Sequence, residues 1–215
     1  MSNQSIIIGV DLSGPSNPAD TACAVFEQRE ATLHLLALYS NLSDRELLSV
    51  VSRYASTELT VGIDAPLSYE DGGGDRYRDR DLRGVLSMRG LPSGSVMTPT
   101  MTRMAYLTLR GVQLAGMIES MHPTARILEV HPFGSLVLAG LDPAHANMVK
   151  RDPGSRTALL NALPSLGLQH LPTRIRTDHE LAALGAAHAA WHWRKGTPAW
   201  HSTAEPPHHP YPMAC

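Results

Sequence analysis

The sequence predicts an α/β fold, a mixed five-stranded sheet with helices on both faces. Two observations predict it. Three short apolar runs open the chain, separated by turns too brief to hold a helix, and two later apolar runs each follow a segment of helical character. At 215 residues the chain supports one sizeable core and is too short for two full domains.

The first strand is Ile6-Ile7-Ile8-Gly9-Val10, apolar on both faces as a central strand must be, ending at Asp11 and the breakers Gly14, Pro15 and Pro18. Residues 21–26 and 33–39 supply the next two strands, with the polar turn 27–31 between them, so the opening is a three-strand antiparallel meander. Ser43 or Asp44 caps a helix through Tyr54 whose inner face carries Leu47, Leu48 and Val51. Residues 60–63 are a fourth strand ending on Asp64. From Thr102 a long helix is set by Met104, Leu107, Gly111, Leu114, Ile118 and Met121 at spacings of three and four. Residues 126–130 are the fifth strand, bracketed by Pro123 and Pro132. Short helices follow at 134–140 and 156–166. The last helix, about 178–195, has Leu181, Leu184, His188 and Trp191 on one face and small alanines on another.

Three hairpin-linked strands followed by two crossover strands are the ribonuclease H-like architecture. A doubly wound fold needs a helix after the first strand, and none fits before Thr21. The domain is expected to span 1–195, with a lid-like insertion at about 69–98 after the fourth strand. A proline-rich tail, 196–215, is expected to lack regular structure.

Composition narrows the function classes. A net charge of −2 gives no overall positive field toward nucleic acid, although a local basic groove stays compatible with it. Cys23 and Cys215 lie near opposite ends without zinc or disulfide spacing. No window approaches the roughly 18 apolar residues of a membrane span. A protein with no membrane partner, cytoplasmic in location, is expected.

Three acids stand where strands end: Asp11 after IIIGV, Asp64 after TVGI and Glu129 in ILEVHP. Side chains leave the packed sheet at the carboxyl ends of strands, and ligands collect there. Converging carboxylates repel one another, and a hard divalent cation, Mg²⁺ or Mn²⁺, relieves that repulsion. Two such ions about 4 Å apart activate water and steady the leaving oxygen in phosphodiester cleavage. Each acid also has a structural reading: Asp11 and Asp64 both precede turns and so can cap their own backbone. Their shared grammar, IIIGVDLSGP and LTVGIDAP, favours a common role. His131 lies on the Glu129 strand face, as ligand or packing group. Thr177 to Glu180 reads as a capping box, with Asp178 favoured by the helix dipole and within reach of a metal.

These segments, with RYRDRDLR, VMTPTMTRMAYLTLRG, ILEVHPFGSL and HELAALGAAHAAW, resemble in their order the DUF429 proteins, predicted nucleases of the ribonuclease H-like superfamily. The resemblance spans Ile6 to about Trp193. It implies a metal-dependent nuclease acting on nucleic acid, with Asp11, Asp64 and Glu129 as catalytic acids and metal ligands. Where the family pattern reads HELDAL this chain has Ala182, so Asp178, one turn earlier on the same face, is the candidate replacement.

Within the insertion, Arg76, Arg80 and Arg83 fall on one face of a short helix among Asp75, Asp79 and Asp81. Intrahelical ion pairing is the simpler role; a phosphate clamp over the metal site is the alternative. Arg103, opening the long helix, is a further phosphate candidate. Two other readings stay open: a catalytically weak or inactive ribonuclease H-like protein that binds nucleic acid or nucleotide, and an actin-like phosphotransferase. The last lacks a Gly-Thr-rich phosphate loop and a second domain.

Overall fold

The computed structural model describes residues 5–14, 17–54 and 58–215; Pro15, one of the expected breakers, lies outside them. In chain order the elements are β1 (Ser5–Asp11), β2 (Ala22–Arg29), β3 (Thr32–Ser40), α1 (Asp44–Ser52), β4 (Glu58–Asp64), α2 (Tyr77–Met88), α3 (Arg103–Met121) and β5 (Arg126–Val130). They continue with α4 (Pro132–Leu138), α5 (Pro143–Met148), α6 (Pro153–Ala162), β6 (Leu168–Gln169), α7 (Asp178–Arg194), β7 (His201–Ser202) and β8 (Met213–Ala214).

The fold is mixed α/β. Among the described residues its sheet has eight strands, in the order β6-β3-β2-β1-β4-β5-β8-β7, which corrects the expected five. The expected meander and crossover strands form the middle of it: β2 is antiparallel to β1 and β3, while β1, β4 and β5 run parallel. The three added strands have two residues each, too short to leave a periodic pattern. Two of them lie in the tail expected to be irregular. Met213 and Ala214, which break the run of prolines, pair with Glu129 and Val130 of β5. The tail is tied down by the buried Arg78 guanidinium, which donates to Thr203 O at 3.0 Å and Tyr211 O at 2.9 Å. The charged run is regular as well: it forms α2, and Leu82 and Leu86 bury against Leu91, Val96, Val137 and Met213.

Each sheet face has its own core. On one face Ile6, Ile8, Val10, Val61 and Ile63 meet Leu47 and Val51 of α1 and Leu114, Ala115 and Ile118 of α3. On the other, Ile7, Ala24, Phe26, Leu128 and Val130 meet α7, buried from Glu180 to Trp191. Gly9 and Gly62 lie opposite one another in the β1–β4 register, under α7. A Cβ on Gly9 would stand 2.2 Å from both Ala183 O and Ala187 N, and one on Gly62 2.9 Å from Ala186 O. The alanines of α7 therefore lie against bare strand backbone.

Candidate active site

The GVD and GID ends of β1 and β4 place a carboxylate two residues after each glycine, hence on the same sheet face as that glycine. In the parallel register Asp11 stands directly beside Asp64. Because α7 runs over the glycines, its first turn arrives above the two acids. His179 Nδ1 is 2.6 Å from Asp11 Oδ2, and His179 Nε2 is 3.9 Å from both Asp20 and Asp178. The positive end of the helix thus faces an acidic cluster.

Electrostatics mark the pair as strained. Burial, and next the Asp11 charge, push the Asp64 carboxyl well above the usual carboxylate range. Asp11 is also raised by burial, a shift partly offset by His179, and the two carboxyls are within hydrogen-bond reach of each other. Without a cation, burial and the Asp11 charge disfavour ionisation of both carboxyls at once. The hydrogen bond to Asp11 raises the pKa of His179.

The pair sits at the floor of a cavity of about 370 Å³. The β1–β2 loop forms one rim, with Ser13, Asn17 and Asp20; Arg110 of α3 fixes this loop by donating to Ser13 O, Thr21 Oγ1 and Asp44. Ser95, Val96 and Met97 form another rim, and Met104 and Leu107 of α3 a wall. Lys150, exposed on the loop after α5, also lines the cavity, and its charge acts on Asp64.

Glu129 lines the same cavity and its charge also raises the Asp64 carboxyl, but it lies on the other face of the sheet. Its register partner is Ile63, so it projects to the α3 face, opposite Asp11 and Asp64. Both of its oxygens accept from Arg76, at 2.6 and 2.7 Å, and Oε2 also accepts from Leu67 N–H. Arg76 is 1% exposed and forks to Asp79 as well, at 2.6 Å. Burial opposes its charge, but the two carboxylates outweigh that and raise its pKa. The guanidinium expected at a phosphate instead neutralises the acid expected at a metal.

The other clamp residues are likewise engaged with the protein. Arg83 binds Asp75 and Val96 O, and Arg80 donates to Asp75 O. Arg103 is exposed at the start of α3 and is not among the residues lining the cavity, although its neighbour Met104 is. His131 caps α4: Nδ1 accepts from Gly134 N–H at 2.9 Å, so Nε2–H donates to Ser95 O. Burial lowers its pKa and keeps the ring neutral. Thr177 caps α7 as expected, but Glu180 reaches one residue further back, to Arg176 N–H, and also accepts from Ser40. Ala182 is buried, while the Asp178 charge reaches Asp11.

Sequence reasoning passed over His179, Lys150, Asp20 and Arg110. His179 had a usable signal, a histidine in the first turn of the helix whose alanines match the strand glycines. Lys150 had none, since it reaches the cavity from a surface loop.

Among the described residues no three His, Cys, Asp or Glu side chains are grouped closely enough to hold a metal ion by themselves. Two adjacent carboxylates still fit Mg²⁺ or Mn²⁺, hard ions commonly held by one or two carboxylates, with water and substrate phosphate completing the shell. The donor set fits one such ion rather than a caged pair.

No helix among the described residues is long and apolar enough to cross a membrane. No curated protein and no solved structure matches the chain. A family model described as "Protein of unknown function (DUF429)" matches residues 9–208, a span that includes both glycine-aspartate strand ends, the Arg76–Glu129 pair and α7. The chain belongs to the DUF429 family.

Proposed function

We propose that the cleft is the active site of a divalent-cation-dependent nuclease, hydrolysing phosphodiester bonds of nucleic acid on a ribonuclease H-like scaffold. The observation that carries this reading is the in-register Asp11–Asp64 pair at the carboxyl ends of β1 and β4, both carboxyls raised in pKa by burial and Asp64 raised further by the Asp11 charge. The antiparallel meander continued by parallel β4 and β5 supports the scaffold.

Asp11 and Asp64 would hold the cation, Mg²⁺ or Mn²⁺, which when bound polarises a phosphoryl oxygen and acidifies water. Water oxygen bonds to phosphorus, the ester P–O bond breaks, and the departing oxygen leaves with a proton. Asp11 orients His179, whose Nε2 edge is directed to the acids of the rim, where it can exchange a proton. Lys150 offsets phosphate charge beside Asp64. Glu129 holds Arg76, and thereby the start of α2, against β5 instead of binding the cation. Asp178 contributes negative potential at the helix start in place of the acid missing at Ala182.

A second reading, nucleotide or nucleic-acid binding without catalysis, is favoured by Ala182 and by the two-carboxylate donor set. The experiment is titration calorimetry with Mn²⁺, beside cleavage of labelled single-stranded, duplex and branched DNA and RNA, for the wild type, Asp11→Asn and Asp64→Asn. Mn²⁺ binding and cleavage, both lost in each variant, support the nuclease. Mn²⁺ binding without cleavage supports the second reading, and no Mn²⁺ binding overturns the site.

A further inference from the structure

The geometry points to a single nucleotide unit as the ligand of this cleft, either a free nucleotide or the terminal nucleotide of a strand, rather than the interior of a duplex. This deepens the reading of Asp11 and Asp64 above and rests on it for the phosphate position. Three observations carry it.

The first is capacity. A cavity of about 370 Å³ is at the small end of ligand sites, which run from about 300 to 1,000 Å³. It is bounded by Ser13, Asn17 and Asp20 between β1 and β2, the Ser95–Met97 segment, Met104 and Leu107 of α3, and Lys150. That space suits one sugar, one base and one phosphate.

The second is charge. Binding along a strand interior uses several phosphate contacts, of which Lys and Arg supply the charge-neutralising ones that dominate affinity. Arg76 is locked between Glu129 and Asp79, Arg83 is held by Asp75 and Val96 O, and Arg80 by Asp75 O. Among the described residues lining the cleft, Lys150 is the permanent cation outside such a network, and its charge acts on Asp64. One phosphate is matched there.

The third is the apolar lining. Met97, Met104 and Leu107 line the same cavity as the acid pair with thioether and aliphatic surface, and Met97 is 41% exposed. Flexible thioethers make favourable contacts with planar rings, so these residues, with Leu12, Pro66 and Val96 in the same lining, offer apolar surface to a base. Ser13 and Asn17 on the adjoining rim supply hydrogen-bonding groups at its edge.

The test compares adenosine 5′-monophosphate with ribose 5-phosphate by calorimetry, with and without Mn²⁺, on the full chain. The nucleotide is expected to bind at least about tenfold more tightly, and Met97→Ala/Met104→Ala should erase most of that ratio while leaving ribose 5-phosphate unchanged. Ratios below about twofold in the wild type, or a ratio untouched by the double variant, overturn the inference. Competition then separates the sources. Displacement of the bound nucleotide by a linear single strand but not by a covalently closed circle identifies a strand end, and displacement by neither identifies a free nucleotide. Equal displacement by both overturns the inference. Failure of the metal reading shows separately, as Mn²⁺ binding that is absent or unchanged in Asp64→Asn.

Discussion

Replacing Gly9 with alanine puts a methyl group where α7 already lies. The new Cβ would be 2.2 Å from Ala183 O and Ala187 N and 2.9 Å from Ala187 Cα, all backbone atoms that no rotamer change can move. Ordinary contact begins at 3.4 Å, so the helix must withdraw by about 1.2 Å over β1. A gap of about 0.5–1 Å already costs a quarter to a half of each dispersion contact it opens, so this larger one costs about half or more, and α7 is buried from Glu180 to Trp191. Overpacking that side chains can absorb costs about 1–3 kcal/mol; with backbone on both sides we expect about 3–5 kcal/mol, a large share of a typical domain's stability. Gly62→Ala, whose contacts are 2.9 to 3.1 Å and include one methyl and one valine side chain, should cost about 1–2 kcal/mol. Gly116→Ala, on α3 with nothing within 4 Å, should stabilise by about 0.5–1 kcal/mol. Urea unfolding of the three variants checks the order. Because α7 carries His179 to Asp11, Gly9→Ala should also weaken Mn²⁺ binding while still folded. A Gly9→Ala protein within about 0.5 kcal/mol of wild type would refute the claim that α7 needs bare backbone beneath it.

Two further outcomes follow from the charge networks. Arg76→Met leaves Glu129 and Asp79 buried without their partner and should cost about 3–5 kcal/mol, whereas Arg80→Ala, exposed and bonded to one carbonyl, should cost under about 0.5 kcal/mol; equal effects in denaturant unfolding would contradict the structural role given to Arg76. Asp64→Asn should stabilise the protein in EDTA by about 0.5–2 kcal/mol at pH 8. The native pKa of Asp64 is raised, so folding favours its protonated form, and its ionisation costs stability as pH rises through that value. The gain from Asp64→Asn should therefore shrink as pH falls toward the unfolded carboxyl range, and a gain that grows in acid would refute the raised pKa.

The middle of the fold was legible because its signals are local. Apolar runs mark β1 to β5, Ser43 and Glu46 close the capping box of α1, and the three- and four-residue spacing of apolar side chains marks α3. The pairing of Asp11 with Asp64 was legible too, because the two strands repeat the same Gly-x-Asp ending, and equal spacing from the glycine puts both acids on one face. The side chain period of two likewise put Glu129 on a definite face of β5, but which face met which helix depended on register with β4, and register is set by packing.

The fates of the other site residues were decided by distant partners. Arg76 and Glu129 are 53 residues apart, and their ion pair removes both from the roles that charge and position alone proposed for them. The charge of Lys150 acts on Asp64 from a loop of no periodicity, and β8 joins β5 although Met213 lies 84 residues after its partner Glu129. The sequence by itself determined the five longer strands, the long helices and the aspartate pair, since each depends on residues close in the chain or on a repeated pattern. Tertiary structure alone decided which charges remain available to a ligand, because a charged side chain takes the partner that packing brings within reach.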